Sequence, residues 1–314
     1  MKKLRADSHA DTIEFSLNNN LNLKDRKLSF NTIDVRDYLP YLQCLACFVH
    51  DKYINGGYER VNKILDYYFN EEEKNRDTII RIRNSTDIDK VLSQNKLGTV
   101  LTIENGLAID QNIDNLYELY SKGIRMMTLT WNGNNQLGCG AMSECDTGLT
   151  TFGKTCVNKM NNIRMIIDVS HASQKTFWDV LNYSTKPVIA SHSNVYNICK
   201  NKRNLTNIQI KEIARINGMI GVTYCSKFLT YKNTATIQDV VNHISYICNL
   251  VGTEYVCVGS DFDGTNKENL PENLKGVKDI YKLEECMLYN GFNIDEIEKI
   301  MGANLIKFLK NNLD

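Results

Sequence analysis

Prolines are scarce, three in 314 residues, and no stretch rich in proline, glycine or serine interrupts the chain. Without a linker, residues 1–314 read as one domain. Neither charge is in excess: 37 basic side chains face 37 acidic ones. That balance lacks the electrostatic footprint of a nucleic-acid or membrane-surface partner. No apolar run approaches the roughly 20 residues of a spanning helix. The opening Met-Lys-Lys-Leu-Arg-Ala-Asp-Ser-His has no apolar export segment. The closing Lys-Asn-Asn-Leu-Asp is polar, without a lipid-anchor tail. A cytoplasmic protein is expected. No disulfides are expected there, although ten cysteines are present. Cys44, Cys47, Cys225 and Cys257 fall in strand-like runs and Cys248 on the apolar face of a helix, as small buried hydrophobes do. The C-x-x-C of Cys44 and Cys47 has no second pair at zinc-finger spacing.

Histidine is also sparse, five in all, and two of the five are placed alike. Arg164–Val169 and Pro187–Ser191 are apolar runs of strand length, followed by His171 and His192. Between them Phe177, Trp178 and Leu181 recur at helical spacing, so the unit reads strand–helix–strand with parallel strands. Two imidazoles at neighbouring carboxyl ends point to a metal, since such folds place their chemistry at that edge.

Eight strand-like runs can be read: Leu4–Ser8, Leu45–Val49, Thr99–Glu104, Arg125–Thr130, Arg164–Val169, Pro187–Ser191, Met219–Tyr224 and Tyr255–Ser260. Helical stripes lie between them. Val61, Ile64, Leu65 and Tyr68 form one, and Ile113, Leu116, Tyr117 and Tyr120 another, ended by Gly123. Thr206 is placed to cap a helix carrying Ile210, Ile213 and Ala214. Val241, Ile244, Cys248 and Val251 form a further stripe. Ile294, Ile297, Met301 and Leu305 form the last. The charged stretch 71–95 reads as extra surface helices. The alternation predicts a single (β/α)8 TIM barrel with extra surface helices. An open doubly wound sheet is the other architecture weighed, but no G-x-G-x-x-G follows the first strand.

Read as one rim, the strand ends carry His9, Asp11, Glu104, His171, His192 and Asp261. His9 and Asp11 share a face if the strand stays extended to that point. Two histidine–carboxylate groups around a common glutamate suit zinc or a related divalent metal. Two such ions would trap a bridging water and lower its pKa, leaving Asp261 to move protons. This is hydrolase chemistry.

Nine short pieces keep one order along the chain. They begin with Asp-Ser-His-Ala-Asp at 7–11, Thr-Ile-Glu-Asn-Gly at 102–106 and Arg-Met-Met-Thr-Leu-Thr-Trp at 125–131. Gly-Leu-Thr-Thr-Phe-Gly at 148–153, Asp-Val-Ser-His at 168–171 and Ser-His-Ser-Asn at 191–194 follow. Lys-Arg-Asn-Leu at 202–205, Gly-Ser-Asp-Phe-Asp-Gly at 259–264 and Gly-Ala-Asn-Leu at 302–305 complete the series. In these pieces and their order the sequence resembles the membrane dipeptidase (renal dipeptidase) family of zinc peptidases, among the amidohydrolase-like barrels.

The resemblance implies two zinc ions. His9 and Asp11 would hold one, and Glu104 would bridge to a second held by His171 and His192. It implies Asp261 as the proton-transferring acid and Arg203 as the grip on a dipeptide's free carboxylate. D-residues are expected to be accepted at the C-terminal position. Tyr224 is expected either to line the pocket or to sit in the core. Trp131 stands where animal members of the family have a substrate-binding histidine. An indole N–H donates a hydrogen bond but carries no charge, so substrate range is the property it puts in question. The loop 132–148 is long and polar enough to cover the pocket. A deacylase or lactonase on the same barrel is the alternative, and a non-catalytic metal-stabilised binding protein a second. A homodimer is one candidate assembly. His50 and His243 receive no role.

Overall fold

The structure, a computed structural model, describes residues 4–314. Residues 1–3, part of the segment read above for an export signal, lie outside the described residues. Nine strands are present among the described residues: β1 (Arg5–Ala10), β2 (Tyr41–Phe48), β3 (Ile79–Arg81), β4 (Leu97–Glu104), β5 (Ile124–Thr128), β6 (Ile166–Asp168), β7 (Ile189–Ala190), β8 (Met219–Val222) and β9 (Val256–Val258). Every pairing between them is parallel. Because β2 pairs with β4 as well as with β1, eight strands close into a barrel. The ninth is β3. It lies against residues 97–99 of β4, leaving residues 101–104 to pair with β5. The stretch 71–95 therefore holds this strand and the helix Ser85–Gln94, where only helices were expected. Three residues are too few for a periodic signal.

The strands bury both faces, as all-parallel sheets do. Leu42, Cys44, Val100, Met126, Ile166, Ile189, Met219 and Cys257 form an inner cluster. Leu305, Phe308 and Leu309 of the C-terminal helix (Asn304–Asn312) join it, closing the barrel at the end away from the strand termini. Alternate residues such as Leu45, Cys47, Leu101, Ile103 and Val258 pack outward with the helices. Cys44 and Cys47 thus face opposite ways, and all ten cysteines are free.

The helix Gly57–Lys74 buries Val61, Ile64, Leu65 and Tyr68 as its spacing predicts. Thr206 caps Asn207–Arg215 through a capping box with Gln209. Two expected stripes are corrected. In Ile113–Ser121 the buried residues are Leu116 and Leu119, while Tyr117 is exposed. Ile294 is exposed too, although Ile297, Met301 and Leu305 are buried. A π-helical turn at Lys299–Ala303 shifts the face presented to the barrel. Among the described residues no helix is long and apolar enough to cross a membrane.

Candidate metal centre

The first strand carries a device that its sequence period does not announce. Arg5, Ala6 and Asp7 pair with Tyr41, Leu42 and Gln43, but Ala10 pairs with Leu45. One extra residue is inserted, a β-bulge. Ala6 consequently sits in the inner cluster and Ala10 in the outer one, though four residues apart. The bulge puts His9 on the inner side. Asp11 follows with φ −94° and ψ 19°, so the strand is no longer extended there. The two share the site because of the bulge, not because of a regular alternation.

Glu104 ends β4 with the inward parity of Val100. His171 lies three residues beyond β6 with φ 65°, and Asp261 beyond β9 with φ 63°. Left-handed backbone is uncommon outside glycine, Asp and His being among the residues that enter it most readily, and it recurs at functional sites. His192 lies two residues beyond β7. A Cβ on Gly264 would stand 2.1 Å from Asp11 Oδ2 and 2.5 Å from Asp261 Oδ1. A side chain there would have to displace one or both carboxylates.

All five expected ligands meet. His9 Nε2 lies 3.3 Å from Asp11 Oδ2 and 3.5 Å from Glu104 Oε2. The other oxygen of Glu104 is 2.9 Å from His171 Nε2 and 3.5 Å from His192 Nε2. The rings of His9 and His192 are 3.9 Å apart between centroids, and those of His171 and His192 4.9 Å. Asp261 Oδ1 lies 4.0 Å from His9 Nε2, while its Oδ2 accepts from Thr265 Oγ1 at 2.9 Å. Donor atoms of His9, Glu104 and His192 fall within 4.8 Å of one another, and so do those of His9, Asp11 and Asp261.

The electrostatics of this cluster are those of groups competing for too few protons. Burial opposes charging His9, but Asp11 and Glu104 beside it hold its pKa well above the usual imidazole value. Burial also acts to raise Glu104, and three imidazoles overcome it, holding the carboxyl well below its usual range. Asp11 is pushed well up by burial and by the charge of Glu104. Burial lowers His171 strongly, helped by Arg203, and lowers His192, helped by His9. Both ring nitrogens of His9, Nε2 of His192 and Oδ1 of Asp11 are buried without a hydrogen-bond partner. Buried polar atoms left unmatched are costly. A divalent cation between imidazole nitrogens and carboxylate oxygens satisfies them, so the residues present fit such an ion.

A cavity of about 410 Å³ opens above the cluster. Asp11, Glu104, His171, Asp261 and Trp131 line it, with Phe48, Phe228 and Lys227. Trp131 packs edge-on to Phe48 at 5.1 Å, and its ring is 6.1 Å from that of His171. Arg203 is 3% exposed. One Nη donates to the carbonyl of His192 at 3.2 Å, and the guanidinium lies 5.4 Å from the centre of the Phe228 ring. Its Nε has no partner. Tyr224 belongs to the core: it is buried against Phe262 and is not among the residues lining the cavity. The loop 132–148 is tied down beside the site. Ala141 N–H donates to the His171 carbonyl at 2.7 Å and Ser173 N–H to that of Cys139 at 3.0 Å. Only its first residue, Asn132, reaches the cavity.

Sequence reasoning passed over Phe48, Asn132, Asp168, Ser191, Lys227 and Thr265. Asp168 and Ser191 lie inside quoted motifs, which was their only signal. Asn132 Oδ1 lies 3.1 Å from His171 Nδ1, a contact no spacing encodes.

The family profile described as "Membrane dipeptidase (Peptidase family M19)" matches residues 2–313. An "Uncharacterized protein in pqqA 5'region" of Klebsiella pneumoniae is 31% identical over 238 residues, 73% of this chain and 87% of that protein. An "Uncharacterized dipeptidase C965.12" of Schizosaccharomyces pombe is 32% identical over 225 residues, 68% of this chain and 53% of that protein. Among solved structures, a metallo peptidase from Rhodobacter sphaeroides, liganded with a phosphinate mimic of the dipeptide L-Ala-D-Ala, superposes with a TM-score of 0.91. It is 20% identical, with 99% of this chain and 100% of that chain covered, a likeness of fold.

Proposed function

Because the chain belongs to the membrane dipeptidase family, peptidase family M19, we propose that its metallo-dipeptidase chemistry runs on two zinc ions at the barrel mouth. His9 and Asp11 would hold one, His171 and His192 the other, with Glu104 between them. The observation that carries this reading is the buried meeting of these five side chains, with imidazole nitrogens left unpartnered. When bound, such ions would lower the pKa of a water and polarise the carbonyl of the scissile bond.

The chain's own residues do the rest. Asp261 would take the proton released on attack and deliver it to the amine that leaves, and Thr265 holds one of its oxygens for that task. Arg203 would bind the substrate's terminal carboxylate, a reading supported by its partnerless Nε beside the Phe228 wall of the cavity. A fixed distance from that cation to the reacting centre would limit substrates to dipeptides. Trp131 and Phe48 would contact the substrate's side chains. The dipeptide mimic bound by the Rhodobacter sphaeroides protein supports D-residues at the second position. For location we propose the cytosol, where the ten cysteines of the sequence would stay reduced. For assembly we propose a homodimer, which sedimentation decides.

The test is a panel of dipeptides, tripeptides and C-terminally amidated dipeptides, L,L and L,D, with metal content measured on the same sample. Dipeptides alone should be cleaved, by protein carrying two zinc ions per chain. Equal cleavage of amidated dipeptides would remove the role of Arg203. Trp131 is the residue that favours a second reading, so N-acyl amino acids and lactones belong in the panel. Turnover of these without dipeptide cleavage would support a deacylase or lactonase instead.

A further inference from the structure

His192 can present Nε2 to an ion only when its ring proton sits on Nδ1. The groups behind the ring decide where that proton goes. Asp168, the last residue of β6, is buried, and its two oxygens collect four hydrogen bonds. Oδ1 accepts from the backbone N–H groups of Ser170 at 2.9 Å and Ser191 at 3.0 Å. Oδ2 accepts from the hydroxyls of Thr128 at 2.6 Å and Ser191 at 2.5 Å. The single hydroxyl hydrogen of Ser191 is thereby committed to Asp168.

Ser191 Oγ also lies 2.8 Å from His192 Nδ1 and 3.3 Å from Ser170 Oγ. With its hydrogen already given away, it can only accept from both, which uses its two lone pairs. Ser170 Oγ in turn accepts from His192 N–H at 3.0 Å, leaving its own hydrogen for Ser191. The count closes in one way: His192 carries its proton on Nδ1. Its Nε2 is then a bare lone pair, buried and without a hydrogen-bond partner, 3.5 Å from Glu104 Oε1.

The backbone of the serine is held as well. Its carbonyl accepts from Ser8 Oγ at 2.6 Å, and a Cβ on Gly259 would stand 1.8 Å from the same oxygen.

We propose that Asp168 and Ser191 are positioning residues of the metal centre: a carboxylate–hydroxyl–imidazole relay that fixes the tautomer and orientation of His192. It rests on the zinc reading given above. Outer partners of this kind orient a ligating imidazole and increase its basicity, and losing one typically costs about 10- to 100-fold in metal affinity. His9 offers an internal contrast, since neither of its ring nitrogens has a hydrogen-bond partner.

Five histidines make the test tractable. The full-length chain, labelled with ¹⁵N-histidine, is recorded metal-free and zinc-loaded by long-range ¹H–¹⁵N spectroscopy, and zinc affinity is measured by chelator competition. The metal-free wild type should show His192 protonated at Nδ1 and bare at Nε2. Ser191→Ala should raise the zinc dissociation constant about 10- to 100-fold and give a mixture of His192 tautomers. Thr128→Val removes a donor to the same Asp168 oxygen, but Thr128 makes no contact with Ser191 or His192 and the Ser191 bond to Asp168 remains, so affinity and tautomer should both hold. Asp168→Asn bears on the fold as well, and the decision therefore rests on the wild-type spectrum and Ser191→Ala. A proton on Nε2 in the metal-free wild type overturns the relay. So do an unchanged tautomer and affinity in Ser191→Ala, or an equal loss in Thr128→Val. A wild type that takes up no zinc would instead defeat the metal reading of the site, while the tautomer still judges the relay.

Discussion

At the scale of single residues, Asp261 differs from the other acids in what its two oxygens meet. Oδ2 is held by Thr265, and Oδ1 faces the site 4.0 Å from His9 Nε2. An amide nitrogen leaves poorly unless protonated, so a carboxylate held this way can supply what peptide cleavage needs. Asp261→Asn keeps the shape and loses the proton transfer. Dipeptide turnover should fall about 10²- to 10⁴-fold with both metals retained. An activated ester, whose leaving group needs no proton, should lose much less. If elemental analysis finds a metal missing, Asp261 is a ligand, as its grouping with His9 and Asp11 allows. His192→Ala removes a donor outright and should lower zinc content by one ion per chain, with nearly all activity gone. Full occupancy in that variant would show the centre to be wrongly assigned.

At the scale of elements, the site depends on how closely β7 and β9 approach beneath it. Gly259 stands where a Cβ would meet the Ser191 carbonyl at 1.8 Å. Gly259→Ala must push backbone against backbone, and overpacking of this kind costs about 1–3 kcal/mol or more. Denaturant unfolding should show that loss, together with weakened zinc binding as His192 is displaced. Wild-type stability in Gly259→Ala would mean the strands yield freely.

The helix Ile237–Val251 makes a second such connection through buried His243. Its Nδ1 accepts from Val195 N–H at 3.0 Å, and its Nε2 lies 2.9 Å from the Leu229 carbonyl. Both bonds are possible only for the neutral ring protonated at Nε2. Burial, opposed by the Leu229 bond, lowers the pKa of His243 below the ordinary value. The unfolded chain, with a histidine pKa of about 6.5, therefore binds this proton first. Stability from His243 is complete above about pH 6.5 and declines as pH falls toward the lower folded value, by up to ~1.4 kcal/mol per pH unit. Unfolding free energies measured between pH 7.5 and 5 should fall less steeply in His243→Gln than in the wild type. Equal slopes would refute the assignment.

At the scale of the whole molecule, the proposed ions join side chains from four strand ends that the chain brings together from residues 9 to 192. An ion that binds the folded chain and not the unfolded one stabilises it by mass action, about 4 kcal/mol when free metal exceeds its dissociation constant 1,000-fold. Chelation should lower the melting temperature, and zinc should restore it with a shift that grows with the logarithm of its concentration. A melt indifferent to chelator would argue that the cluster holds no ion in the folded protein.

Much of this was legible in the residues themselves. Most barrel strands bury both faces and so left an apolar run, and a polar side chain following such a run stood out. Glu104, His171, His192 and Asp261 were visible for that reason, His9 through its spacing from Asp11, and eight strand-like runs alternating with helical stripes pointed to the barrel. Tertiary structure alone decided the rest. A bulge in β1, not alternation, brought His9 and Asp11 to the interior. Tyr224 turned to the core because its neighbours on the barrel wall, not its own sequence, determine what it meets. The short β3 is held by its pairing with β4 rather than by any periodicity. The link from Asp168 through Ser191 to His192 spans two strands, and it exists only once β6 and β7 have paired in register. Local sequence records which side chains can be buried or can bind. Which of them face one another is set by register and shear, and those belong to the folded chain.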